Sequence, residues 1–370
     1  MREYLFVIVV AAIVTYAATP LMRWLAVRFR AYTPVRDRDV HSVPIPRLGG
    51  VAMLLGFAAA VVVASHLPFL TQVFDTGEVW GVLTGAALVC LVGAIDDVHE
   101  LSALTKLAGQ LIAAGIMAFQ GVQLFSLPLG GYTVLPAPIL VMLTILVVVF
   151  TTNAVNFVDG LDGLATGIVA IAAVSFFAYA YVISHSYSPA NYFTQAAFIA
   201  AGILGCCLGF LPHNFFPARI FMGDSGALLL GLLVAAASIT LTGTVSGADI
   251  STNPVVATFL PFVVPIAVLL LPAADLLFAV VRRTRAGVSV WQPDAKHLHH
   301  RMLRIGHGHR RAVVLLWAWA AVAAMGSVSF VFLDGWVATA LVLGGVVVLA
   351  ALTMLLPRLS LPGHRPRRIP

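Results

Sequence analysis

Asp96, Asp97, Asp159, Asp162 and Asp224 all stand at the ends of long apolar runs, inside short segments rich in Gly or Asn. The segments read Gly93-Ala-Ile-Asp-Asp97, Asn153-Ala-Val-Asn-Phe-Val-Asp-Gly-Leu-Asp-Gly163 and Phe221-Met-Gly-Asp-Ser-Gly226. A carboxylate next to hydrocarbon costs about 2.5–3.5 kcal/mol on insertion scales, so its presence asks for a reason. Carboxylates gathered at one place repel unless a cation lies among them, and Asp and Asn oxygens are the hard donors that Mg²⁺ prefers. Glycines beside them let backbone amides approach phosphate oxygens closely. The pattern therefore points to a cation and to phosphate. Taken alone, an Asp-Asp pair equally suits a helix cap, and Asp224 or Ser225 equally suits the first turn of a helix. A fourth polar segment, Pro293-Asp-Ala-Lys-His-Leu-His-His-Arg301, groups three histidines with an arginine. No cysteine or His-Glu-x-x-His pattern supports a zinc site there, and donors to anionic oxygens fit better.

The elements that must carry these segments are membrane helices. Of the 370 residues, 61% are hydrophobic and 10% charged, against about 25% charged in a soluble domain. Mean hydropathy is +1.00. Apolar runs near the roughly 20 residues that cross a bilayer fall at about 4–25, 49–70, 79–95, 104–121, 135–153, 161–183, 195–212, 225–242, 255–281, 312–333 and 335–356. The expected fold is an all-α polytopic membrane protein of about eleven transmembrane helices. With the N-terminus outside, every Lys and Arg except Arg2 falls in an inward loop or the C-terminal tail, while Asp75, Glu78, Asp249 and Asp334 lie outside. That asymmetry puts the C-terminus in the cytoplasm and the acidic segments together on the cytoplasmic face. The net charge of +6 is thus a basic inner face suited to anionic lipids and phosphorylated substrates, and no nucleic-acid motif accompanies it. Residues 1–370 read as one transmembrane domain, with 357–370 a basic cytoplasmic tail. Cys90, Cys206 and Cys207 lie inside apolar runs and read as small buried side chains.

Four motifs in order carry a resemblance. Asp96-Asp97 precedes Ser102-Ala-Leu-Thr-Lys-Leu-Ala-Gly-Gln110; then come Asn153 to Gly163, Asn214 ten residues before Asp224, and His297-Leu-His-His300. Together they resemble the polyprenyl-phosphate N-acetylhexosamine-1-phosphate transferases, the superfamily of MraY, WecA, TagO and the eukaryotic dolichyl-phosphate enzyme. The first inward loop, His41-Ser-Val-Pro-Ile-Pro-Arg-Leu-Gly-Gly50, is similar to the N-acetylglucosamine (GlcNAc) branch, as is His-Leu-His-His where MraY has three consecutive histidines. Alanine, valine and arginine enrichment suggests a high-GC bacterium and with it decaprenyl phosphate.

The resemblance implies a multi-pass enzyme of the bacterial plasma membrane that works on the cytoplasmic face. It would move GlcNAc-1-phosphate from UDP-GlcNAc to a polyprenyl phosphate, undecaprenyl or decaprenyl, releasing UMP at the first step of a cell-envelope polysaccharide. Mg²⁺ is the implied cofactor, with Mn²⁺ as a substitute, held by Asn156 and Asp224. Lys106 would meet a phosphate, and Asp96 or Asp97 would take the lipid phosphate's residual proton. Asp159 and Asp162 would shape the nucleotide pocket. Arg47, Asn153, Asn214, Phe221, His297, His299, His300 and Arg301 would bind substrate, Phe221 by stacking on uracil. Partners are those two substrates and membrane lipids, with a homodimer left open. The alternatives are another UDP-N-acetylhexosamine, phospho-MurNAc-pentapeptide transfer, or a transporter. A transporter would hold its ionisable groups at mid-bilayer, whereas these crowd one face.

Overall fold

The computed structural model describes residues 1–32, 44–124, 135–187, 194–242, 263, 266–267, 270–285, 287 and 298–359. Lipid offers backbone groups no partners, so a spanning segment must satisfy its own, which helices do locally. The described residues form α1 (Arg2–Arg28), α2 (Gly49–Ser65), α3 (Glu78–His99), α4 (Ala103–Phe119), α5 (Ala137–Val158) and α6 (Leu164–Tyr187). Then follow α7 (Gln195–Asn214), α8 (Gly223–Thr242), α9 (Leu270–Arg285), α10 (Leu298–Ile305), α11 (His309–Phe332) and α12 (Gly335–Leu359). Eight of them, α1, α3, α5, α6, α7, α8, α11 and α12, are long and apolar enough to cross a membrane. The protein is an all-helical, multi-pass membrane protein.

The runs expected at 49–70 and 104–121 appear as the shorter apolar helices α2 and α4, and most of the run at 255–281 lies outside the described residues. Two boundaries moved in a way that matters. α5 continues through Asn153 and Asn156 to Val158, so these amides sit on its last turns rather than in a loop. α3 likewise runs past the apolar stretch and carries Asp96 and Asp97 near its end. Polar residues at a helix end near the membrane surface do not break it, because the backbone ladder is indifferent to them.

α8 is the axis of the bundle: every residue from Ser225 to Ile239 is buried, and it packs against α2, α3, α5, α6 and α7. Helices in lipid gain little from hiding apolar surface from one another, so close van der Waals fit at small residues holds them. Gly50 meets the backbone of Gly226, and Gly231 meets that of Thr152. A Cβ on Gly93 would lie 2.5 Å from the Asp224 carbonyl carbon and the Ser225 Cα. α2, α3 and α5 therefore touch α8 backbone to backbone, two of them at its first turn. At the other extreme α12 rests on α11 and exposes Trp336, Leu341, Leu343, Val347 and Met354, an apolar face suited to lipid.

Candidate active site

The first turn of α8 gathers the site. α3 ends in a tight reversal: Glu100 takes the left-handed region at φ 47°, and the Leu101 N–H donates to Asp96 Oδ1 at 2.7 Å. Ser102 then caps α4, its hydroxyl accepting from the Thr105 N–H at 3.2 Å. This turn sends Lys106 back over α3, where its ammonium contacts Asp96 Oδ2 at 2.6 Å and Asp224 Oδ2 at 2.7 Å. From α5, Asn156 Nδ2 donates to the other Asp224 oxygen at 3.2 Å. Lys106 is half-buried and Asp96 buried, so this is a partly desolvated ion triad rather than a surface pair. Pairing of this kind offsets part of the desolvation cost that an isolated charge would meet there.

Asp97 faces the same turn differently. Its Oδ1 accepts the Asp224 N–H at 2.9 Å and its Oδ2 the Ser225 N–H at 3.2 Å. It is buried, 5% exposed. Gly223, at φ 68°, stands directly against this carboxylate, leaving no room for a Cβ.

α2 enters along the same place. The Phe221 N–H donates to the Pro46 carbonyl at 2.8 Å, and the Gly49 and Gly50 N–H groups donate to the Phe221 and Met222 carbonyls at 3.0 Å each. Between them Leu48 is held at φ 86°, a region that L-residues avoid unless their surroundings impose it. This pairing sets Arg47 within electrostatic reach of Asp159, just past the end of α5. Burial, with the Asp224 charge beyond it, pushes the Asp159 carboxyl up to about 7, while Arg47 pulls it down.

Other residues expected in the site support it from outside. Asn153 Nδ2 donates to Gln110 Oε1 at 2.7 Å, bracing α5 on α4. Asn214 Oδ1 accepts from the Gly163 N–H at 3.1 Å and the Thr166 hydroxyl at 2.9 Å, and its Nδ2 donates to the Ile220 carbonyl at 3.1 Å. Asp162 Oδ2 accepts the Ala218 N–H at 2.8 Å. Both are almost fully buried and knit the 159–163 turn to the chain leading into α8. Phe221 is half-buried. Arg301 is exposed on the short α10, whose backbone also carries His299 and His300, and His297 lies outside the described residues.

Sequence reasoning gave His309 no part. At the start of α11 its ring stacks on Phe216 with centroids 4.4 Å apart, and its Nε2 lies 3.9 Å from Asp162 Oδ1. Arg310 Nε donates to the Phe216 carbonyl at 3.2 Å. The only sequence signal was a histidine opening a basic run, which charge asymmetry already accounted for.

A helical membrane bundle with a carboxylate, amide and ammonium cluster at the start of its central helix defines a class: a multi-pass membrane protein whose cluster has the groups that phosphate and a cation would need. The description "Glycosyl transferase family 4" matches residues 79–242, the stretch from α3 to α8 that builds this cluster. The decaprenyl-phosphate N-acetylglucosaminephosphotransferase of Mycolicibacterium smegmatis is 45% identical over 97% of this chain and 89% of that protein. A probable undecaprenyl-phosphate N-acetylglucosaminyl 1-phosphate transferase of Bacillus subtilis is 29% identical over 86% of this chain and 83% of its own. The phospho-N-acetylmuramoyl-pentapeptide-transferase of Desulforudis audaxviator reaches 33%, but over 62% of this chain and 74% of its own. The chain belongs to the polyprenyl-phosphate N-acetylglucosamine-1-phosphate transferases, the WecA/TagO type within glycosyl transferase family 4.

Proposed function

We propose that this protein transfers GlcNAc-1-phosphate from UDP-GlcNAc to a polyprenyl phosphate, giving polyprenyl-diphospho-GlcNAc and UMP. The observation that carries the reading is the triad of Lys106, Asp96 and Asp224 with Asn156. It brings one cation and several hard oxygens to the point where two phosphorylated substrates would meet. An oxygen of the lipid phosphate attacks the β-phosphorus of the nucleotide sugar. The bond from that phosphorus to the bridging oxygen breaks, and UMP leaves with that oxygen. One diphosphate linkage replaces another, and the nucleophile is already an anion. The protein's work is therefore positioning and charge neutralisation.

Asp224 and Asn156 fit Mg²⁺, which takes one or two protein oxygens and completes its shell with water and substrate phosphates. A half-turn of the Asn156 amide would present its oxygen to the ion. Held by these two residues, Mg²⁺ would supply Lewis-acid neutralisation of phosphate charge. Lys106 supplies a mobile point charge that can pass from Asp224 to a phosphate oxygen. Arg47 and Asp159 would serve the nucleotide, and His297, His299, His300 and Arg301 would bind the sugar or diphosphate.

Eleven spans, an outside N-terminus and an inward-facing site complete the reading, supported by the distribution of Lys and Arg. The acceptor reading is decaprenyl or undecaprenyl phosphate, as in the names of the relatives. The test is to incubate purified protein with UDP-GlcNAc, UDP-GalNAc and UDP-MurNAc-pentapeptide, each with a polyprenyl phosphate, and weigh the lipid products. A product heavier by GlcNAc-phosphate is expected; muramyl-peptide lipid would place the chain with the pentapeptide transferases.

A further inference from the structure

We infer that Asp97 is a positioning residue that fixes the first turn of α8, and through it Asp224, rather than the group that takes a proton from the lipid phosphate. The inference rests on the transferase reading and deepens it. Both oxygens of Asp97 are engaged by backbone amides, those of Asp224 and Ser225. Each oxygen therefore meets one of the amides that a helix start leaves without an intrahelical acceptor. It is buried, and the ammonium of Lys106 contacts Asp96 and Asp224. The neighbours share the task. Gly93, one turn earlier on α3, lets α3 lie against Asp224 and Ser225, and Gly223 lacks the Cβ that would strike the carboxylate. The tie joins residues 127 and 128 positions apart, so Asp97 caps not its own following helix but the central one.

In consequence two very different changes should do the same damage. Asp97→Asn keeps one accepting oxygen and turns an N–H₂ group toward the second amide. Gly223→Ala keeps the carboxylate but pushes it off the turn. Both variants and the double variant are purified as full chains in lipid nanodiscs. UDP-GlcNAc affinity is read by calorimetry with Mg²⁺ and without acceptor lipid, and turnover is read from pH 6 to 9 with acceptor. The expected result is a similar loss of nucleotide affinity in both single variants, on the order of tenfold. The double variant should be no worse than the weaker single one, and all pH–rate profiles should keep the native shape. Asp97→Asn with native nucleotide affinity and a turnover defect that recovers as pH rises would overturn the inference, because it marks a lost proton acceptor. So would losses that multiply in the double variant. Native transfer chemistry persisting in the unmodified chain keeps this failure distinct from failure of the transferase reading itself.

Discussion

Asp224 is where the charges of the site converge, with Lys106 on one oxygen and Asn156 on the other. Removing its charge leaves Lys106 paired with Asp96 and takes away the carboxylate proposed to hold Mg²⁺. Asp224→Asn should cut turnover by about 10²–10³-fold, the loss typical of deleting a preorganised electrostatic partner. Melting by fluorescence should show the variant folded, and a chelator should silence the native chain; full activity in chelator contradicts the metal assignment. Asp159 yields a second prediction. Its carboxyl is raised from 3.8 to about 7 in the fold, so the folded chain binds this proton more tightly than the unfolded chain. Native stability is therefore full below about 4 and falls as pH rises towards 7, where the site must accept another negative charge. Asp159→Asn, measured without substrates, should gain thermal stability over the native chain between pH 5 and pH 8. A pH-independent difference would refute the burial assigned to Asp159.

Among the elements, the turn after α5 and the approach to α8 depend on one buried amide. Asn214→Ala strands the Gly163 N–H, the Thr166 hydroxyl and the Ile220 carbonyl, and each buried unsatisfied group costs about 1–3 kcal/mol. The expected outcome is a clear drop in thermal midpoint together with weakened activity; an unchanged midpoint would mean that the two turns do not lean on each other. These residues also show what the sequence could reveal. Acids and amides at the rims of apolar runs were legible because membrane-edge carboxylates have few structural excuses. Their partners were not. Asn214 and Asp162 look like ligands in a motif, yet their oxygens accept from backbone and hydroxyl groups far along the chain. Which amide a carboxylate meets is decided by how helices cross, and the Gly50, Gly93 and Gly231 approaches that set the crossings leave only a glycine in the sequence.

For the whole molecule, composition made the membrane class plain, and among the described residues the eight helices long and apolar enough to cross a membrane coincide with runs read from hydropathy. Helix ends were less legible, since apolar runs stop where hydropathy changes while α3 and α5 continue through Asp97 and Asn156. The orientation proposed from charge predicts that impermeant cysteine labelling, in a chain lacking Cys90, Cys206 and Cys207, reaches position 75 from outside but not position 301. External labelling at 301 would separate the histidine segment from the carboxylates and dissolve the site.

The central claim is that sugar and phosphate move together, and UDP-GlcNAc labelled with ³²P at the β-phosphorus tests it most directly. Incubated with the purified chain and a polyprenyl phosphate, the label should pass into organic-extractable lipid in step with GlcNAc, leaving unlabelled UMP in the water phase. Label retained in water-soluble UDP while GlcNAc enters the lipid would mean glycosyl transfer without phosphate, and would contradict the mechanism built on Lys106, Asp96 and Asp224.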